Sequence, residues 1–505
     1  VKKKIIKNSL YSAFSSLSSG IIYFFLLPFI LSKIGAMEYG LVGISNIFSM
    51  SGYVSLLELG FQSSISKYVS EYNAKKEDRK IKEIVTSSLI IFICLSIIFC
   101  LLGFFLSGIL VEKVLSIPEE YRSSFKTALV LVFISYLFQF PAVVYAGLFE
   151  GLQRFDILKG CQIFIAVFTA AGIILSLSMK YNYMAIIVVT LLGSALQLLV
   201  YIYMSFKITP LVAIRLKYFS LNSIREIWAI SKYISIGKIS SIIYHNTPRL
   251  LIGMLLNPVI MTSYEIVTRL PKFLKVSLGF INAVVMPAAS EVAALDRKEN
   301  LQKLFSQGIR ILQFLMFPII LGVIFYSEQF LYVWVGREFI HLKWLLILML
   351  IWNLMVSYIS YGGSILLGMN SRVKTTTALS VAGTVLSIIV TLILARSFQL
   401  EGIIIGYVLG TVVVLPLYLK IYLQELQLEI VPFVKEVFSY LVVVIAPIFV
   451  SLIIDNLILD NNVYTFLLKM IIWCFVYWIV EYFVVLNAQD RSNIMFYKLY
   501  GRAIE

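Results

Sequence analysis

The sequence predicts an all-α polytopic membrane protein of about 14 transmembrane helices, in two parallel pseudo-symmetric six-helix bundles plus two C-terminal helices. Three observations lead there. The 505-residue chain is 60% hydrophobic and only 14% charged, with a mean hydropathy of +0.93; that leaves too little polar surface to cover a soluble protein of this length. Apolar runs of about 20 residues, enough for a helix to cross hydrocarbon, recur from end to end. Finally, residues 8–63 and 227–291 read alike: two hydrophobic helices joined by a short turn and running into a charged connector.

In chain order, the expected spans are 8–31, 39–63, 84–110, 125–149, 157–178 and 183–206, an N-terminal bundle over 1–206. A basic cytoplasmic linker follows at 207–226, carrying Lys207, Arg215, Lys217 and Arg225. The second bundle, 227–422, holds spans 227–256, 260–291, 303–327, 340–368, 373–395 and 401–422. Residues 423–505 add spans 434–455 and 463–486 and a cytoplasmic tail. The turn from Leu31 to Gly40 has its counterpart in Met254-Leu255-Leu256-Asn257-Pro258, with Tyr264 soon after. The connectors Asn73–Arg79 and Asp296–Asn300 also correspond. An even number of spans per repeat makes the halves parallel, with substrate expected between them near the midplane.

A net charge of +15 invites a nucleic-acid reading. Basic residues concentrate instead in alternate loops, as the positive-inside rule requires, which puts both termini in the cytoplasm and excludes a nucleic-acid partner. Lys2-Lys3-Lys4 before an apolar run imitates a signal peptide, but further spans follow at once, so retention as the first span is expected. Cys94, Cys100, Cys161 and Cys474 fall within apolar spans as small hydrophobes. No stretch suits a soluble catalytic domain, and no phosphate loop, metal-ligand cluster or nucleophile–base arrangement stands out. The expectation is a transporter, not an enzyme, with no cofactor beyond H+ or Na+ as a coupling ion.

Charge inside the spans carries the functional argument. Lys238, Arg249, Arg269, Lys272 and Lys275 fall within two consecutive hydrophobic helices. Each would cost about 2.5–3.5 kcal/mol facing lipid at bilayer depth. Such a cluster fits a wet interior cavity that receives an anion. On the seventh helix Ser231, Lys238, His245 and Arg249 recur at intervals of seven, seven and four, a single stripe. On the eighth, Glu265, Arg269, Lys272 and Lys275 lie within about 120° of one another. Glu265 and Arg269 at i,i+4 also suit a private ion pair, which leaves Lys272 and Lys275 without acidic partners on that helix. Lys275 can snorkel towards the cytosol. Pro248 and Pro271 mark hinge candidates.

The first helix presents Asn8, Ser12, Ser15 and Ser19 on one face, and the second adds Asn46, Ser49 and Tyr53. Two readings stand: a hydrated cavity wall, or small residues packing membrane helices closely. His245 suits a proton-linked role or a packed histidine. Lys232 and Arg310 are expected to snorkel from helix ends, Lys469 to be interfacial or packed on a neighbouring helix, and Glu58 and Glu150 to pair with loop bases.

Several of these residues resemble the polysaccharide transporter family, which includes the O-antigen flippases, within the superfamily of multidrug extrusion transporters and lipid II flippases. The matching segments are Lys7-Asn8-Ser9-Leu10, the turn Leu31…Ile34-Gly35-Ala36…Glu38-Tyr39-Gly40, and Leu57-Glu58-Leu59-Gly60-Phe61…Ser66-Lys67-Tyr68. Arg249-Leu250-Leu251-Ile252-Gly253 followed by Ser263-Tyr264…Arg269-Leu270 also matches. The resemblance covers the whole chain in span order and is best over 7–70 and 245–292. It implies a V-shaped central cavity, alternating access and a cargo of oligosaccharide on undecaprenyl diphosphate in a bacterial inner membrane. The expected setting is a monomer among membrane lipids, alongside a polysaccharide polymerase and a chain-length regulator. Two positions depart from the family pattern. Pro248 stands where relatives carry an acidic residue, which argues against a salt bridge holding Arg249, and Glu58 stands for the usual Asp.

Within that expectation Arg249, Arg269 and Lys272 offset the lost hydration of the diphosphate, and the Ser/Asn stripe bonds sugar hydroxyls. A multidrug antiporter of the same fold would need an acidic cavity for cationic drugs. A membrane polymerase or ligase would need a larger external loop than Val111–Ser124 or Ser327–Leu342.

Overall fold

The structure, a computed structural model, describes residues 2–50, 52–58, 60–208, 216–294, 298–458, 460 and 462–485, and among them every regular element is helical. Two compact units divide the chain: residues 1–269 with 380–410, and residues 270–379 with 411–505.

The first unit opens with α1 (Lys2–Ser45), which is broken at Gly35, where φ 72° and ψ 178° suit a residue without Cβ. This is the turn expected between the first two spans. The second span departs from expectation. Helix stops at Ser45, 3-10 turns follow at Asn46–Phe48 and Tyr53–Glu58, and α2 runs Phe61–Ala74. Residues 39–63 are therefore not one helix. Small polar side chains compete for the backbone there: the Ser49 amide and hydroxyl both donate to the Asn46 carbonyl, at 3.2 and 2.9 Å, and the Ser55 hydroxyl donates to Gly52 at 2.7 Å. Gly60, with φ 68°, then starts α2.

α3 (Asp78–Ile109), α4 (Glu119–Gly151), α5 (Phe155–Ser178) and α6 (Met184–Ile208) follow as expected apolar spans. α4 is central, packed against α2, α3 and α6, while α1 lies on α5. α7 (Leu221–Leu255) starts at Ser220, whose hydroxyl accepts from the Ser223 amide. A two-residue turn leads into α8 (Pro258–Ala294), where the Asn257 side chain accepts from the Ile260 amide at 3.0 Å.

The second unit takes α8 from Leu270 onward, then α9 (Lys298–Phe325), α10 (Ser327–Val335) and α11 (Lys343–Gly368). α12 (Val373–Glu425) breaks at Gln399 (φ 46°, ψ −122°), the boundary expected between spans 373–395 and 401–422, and its residues 380–410 belong to the first unit. α13 (Ile430–Val442) and α14 (Ile445–Leu457) share the next expected span. α15 (Val463–Val484) packs on α9 and α14. Two indole N–H groups tie it to α9: Trp473 donates to Pro318 and Trp478 to Phe314, both at 2.9 Å.

Among the described residues, ten helical runs are long and apolar enough to cross a membrane. The chain is a multi-pass membrane protein. α7 and α8, the helices with the charge cluster, fall outside that set.

Candidate functional site

In the first unit the second arm of α1 lies against the first turns of α8 because glycine leaves room. A Cβ on Gly40 would sit 1.7 Å from the Pro258 carbonyl oxygen, and one on Gly43 2.6 Å from Met261 Cγ. The Thr262 hydroxyl closes the seam by donating to the Ala36 carbonyl at 2.5 Å. This approach brings Tyr39 to Arg269, whose Nη2 donates to the tyrosine oxygen at 2.9 Å. The Arg269 Nε–H is buried without a hydrogen-bond partner. Tyr23 lies close enough to interact electrostatically with the same guanidinium.

Across the α7–α8 hairpin, Arg249 Nε donates to Glu265 Oε1 at 2.7 Å, with the two side chains 15% and 6% exposed. Tyr264, 2% exposed, and Tyr39 both interact electrostatically with this pair. Loss of the family's acidic residue at Pro248 argued against a salt bridge to Arg249; the structure corrects this, because Glu265 supplies the carboxylate from the facing helix.

One turn before Arg249, His245 Nδ1 lies 2.7 Å from the Tyr407 hydroxyl, while Tyr244 donates to the Tyr407 carbonyl at 2.9 Å. The Tyr244 and Tyr407 rings stack at 4.4 Å. Ser240 and Thr384 hydroxyls meet at 3.1 Å, so α7 is stitched to the 380–410 segment along two turns. His245 therefore has a packing partner.

The polar stripe of α1 is only partly gathered. Asn8 donates to Gln153 at 2.8 Å, Ser15 is buried, and Ser12 and Ser19 are half-buried. Asn46 has left the helix for a 3-10 turn, and Tyr53 meets the Thr247 hydroxyl at 3.1 Å. Glu150 accepts from Gln62 at 2.9 Å. The side chains of Lys232 and Lys238 lie outside the described residues.

In the second unit the Lys272 ammonium is buried, and the Lys275 ammonium stands 5.8 Å from the Trp352 ring centre. Lys275, expected to snorkel, is thus half-buried over an indole whose own N–H donates to Thr411 at 2.9 Å. Beside it Asn353 donates to the Pro271 carbonyl at 2.7 Å, holding α8 to α11 at that proline. Lys469 is packed: its ammonium lies 2.7 Å from Asp455.

Sequence reasoning missed the tyrosines that serve these cations. Tyr39 sits in the Gly35-to-Gly40 turn and was visible as part of it. Tyr264 directly precedes Glu265. Tyr407, more than 160 residues from its partners, left no local signal.

Residues 33–343, more than half of the chain, match the family model described as polysaccharide biosynthesis protein. The chain belongs to this family. No curated protein matches it. Among solved structures, the lipid II flippase MurJ in an inward closed conformation has a TM-score of 0.71 at 14% identity, covering 94% of this chain and 98% of its own. An inward-facing multidrug resistance MATE family transporter of the MOP superfamily reaches 0.65 at 14%, over 82% and 94%. A MOP superfamily transporter from Pyrococcus furiosus, described for the reverse polarity of its binding pocket, reaches 0.59 at 13%, over 84% and 96%. At these identities the likeness is one of fold.

Proposed function

We propose that this family member is a flippase. It carries undecaprenyl-diphosphate-linked oligosaccharide units from the cytoplasmic to the outer leaflet of a bacterial inner membrane by alternating access, as O-antigen and related surface polysaccharides require. The observation that carries the reading is Arg269. One of its Nη atoms is held by Tyr39, and its buried Nε–H has no acceptor. A half-buried guanidinium whose inner N–H has no acceptor suits a phosphate oxygen, because the charge-assisted bond replaces hydration that the diphosphate loses.

Arg249 takes a different part. Its charge is offset by Glu265, so it positions α7 on α8. Lys272, one turn along α8 from Arg269, adds a second buried cation for the same cargo. Lys238, Lys275 and the α1 hydroxyls are further contacts in this proposal, the last of these to sugar. Release requires Arg269 to bind the diphosphate less tightly in one state than in the other. Coupling to H+ or Na+ and partnership with a polymerase and chain-length regulator complete the proposal.

Family membership supports a polysaccharide pathway, and the MurJ-like fold supports a lipid-linked cargo. A multidrug cation antiporter would need a carboxylate beside this cation cluster to receive its substrate, and Glu265, which stands there, is already bonded to Arg249. The test is complementation of a flippase-null strain. Arg269→Ala should abolish surface glycan at unchanged protein level, and Arg269→Lys should keep part of it. Normal glycan in the alanine variant would discard the phosphate role. Drug resistance without restored glycan would select the antiporter.

A further inference from the structure

Helix α15 turns one face inward, burying Lys469, Trp473, Tyr477 and Glu481 along a single stripe. Lys469 is answered by Asp455. Glu481, about three turns further on, is answered by nothing among the described residues. It is 0% exposed, and neither carboxyl oxygen has a hydrogen-bond partner.

The surroundings offer no substitute. Tyr477, on the same helix, interacts electrostatically with Glu481, with Tyr440 of α13 and with Tyr358 of α11. Its own proton goes to the Tyr440 carbonyl at 3.0 Å. From α9, fully buried Gln313 gives its amide N–H to Tyr358 at 2.8 Å, and its Oε1 is a second buried acceptor without a donor. On α14, Asp455 is engaged with Lys469. No charged side chain among the described residues interacts with Glu481. One turn before it, Tyr477 is packed in an apolar cluster with Phe317, Tyr440 and Val443. A carboxylate there would be desolvated with neither counter-ion nor donor, at a cost of several kcal/mol. One proton removes that cost and supplies the donor that the site lacks.

We propose that Glu481 is a proton-binding site in the C-terminal helix pair, a carboxyl group that is neutral while α15 is packed against α9 and α13. The reaction is uptake of one H+ from water by the carboxylate, with nothing else exchanged. Proton binding and this packing are then linked: raising the pH favours the ionised form and loosens α15. The site lies outside the arginine cluster and does not depend on the identity of the cargo.

Infrared difference spectroscopy of the full chain in lipid nanodiscs tests this directly. At neutral pH the wild type should show a carboxylic-acid carbonyl band that shifts in D2O and is lost in Glu481→Gln. Unfolding monitored by tryptophan fluorescence should show wild-type stability falling as the pH rises, with a flatter profile in the glutamine variant. If that variant fails to fold, Glu481→Asp should retain the acid band at a shifted position. An unchanged acid band in Glu481→Gln would overturn the proposal. So would loss of the wild-type band on replacing choline chloride with NaCl at fixed pH, which would assign the site to a metal cation.

Discussion

Removing Glu265 should leave a positive charge stranded inside the protein. Arg249 and Glu265 meet at 2.7 Å with side chains 15% and 6% exposed. At an effective dielectric of 20 their Coulomb attraction is about 6 kcal/mol. Much of that offsets desolvation, and breaking a buried pair from one side costs about 3–5 kcal/mol net. The small exposure of Arg249 favours the lower end, so Glu265→Gln should destabilise the protein by about 3 kcal/mol. Arg249→Met with Glu265→Leu removes both charges and should recover most of the loss. The assay is SDS-titrated unfolding of the purified protein in mixed micelles for Glu265→Gln and for the closed cycle of wild type, Arg249→Met, Glu265→Leu and the double variant. The coupling energy decides the matter. An ordinary neutral hydrogen bond between membrane helices gives about 0.6 kcal/mol in such cycles. A coupling near that value, or a Glu265→Gln protein as stable as wild type, would refute a buried ion pair pinning α7 to α8.

Tyr39→Phe deletes the hydroxyl that accepts from Arg269. Bonds to charged groups contribute about 1.5–3 kcal/mol, and glycan export in the complementation strain should fall while Arg269 stays in place; undiminished export would remove Tyr39 from the site. Gly40→Ala would drive a methyl group to 1.7 Å from the Pro258 carbonyl oxygen, so a loss at or above the usual 1–3 kcal/mol of overpacking is expected, read as reduced thermal stability in detergent at a fixed scan rate. Asp455→Asn deprives Lys469, 4% exposed, of its counter-charge; about 3 kcal/mol should be lost and regained with Lys469→Met in the same unfolding assay.

The spans were legible because their apolar periodicity is an accumulated signal, and most boundaries fell at a glycine, a proline or a charged connector. The break after Ser45 was not legible. It depends on Ser49 and Ser55 choosing backbone carbonyls over helix, a local competition between nearly equal energies. The cation cluster could be read from its cost, but its pairing could not be read from one helix at a time. The i,i+4 spacing pointed to Glu265 and Arg269, whereas the structure bonds Glu265 to Arg249. A signal was present: Arg249 and Glu265 lie eight residues either side of Asn257, the turn of the hairpin, so antiparallel helices bring them level. Glu481 carried a signal too. It continues the stripe of Lys469, Trp473 and Tyr477, so a carboxyl group in line with large aromatics was bound to face inward.

The seam at Gly40 limits how the arginine cluster can move. The contact there is peptide against peptide, with no side-chain rotamer to yield, so the second arm of α1 and the opening turns of α8 cannot press closer and are expected to travel together. Any stroke that carries Arg269 to a new position is then expected to pivot elsewhere. Gly35 already departs from helical geometry at one end of that pair, and Pro271 stands just beyond Arg269 at the other.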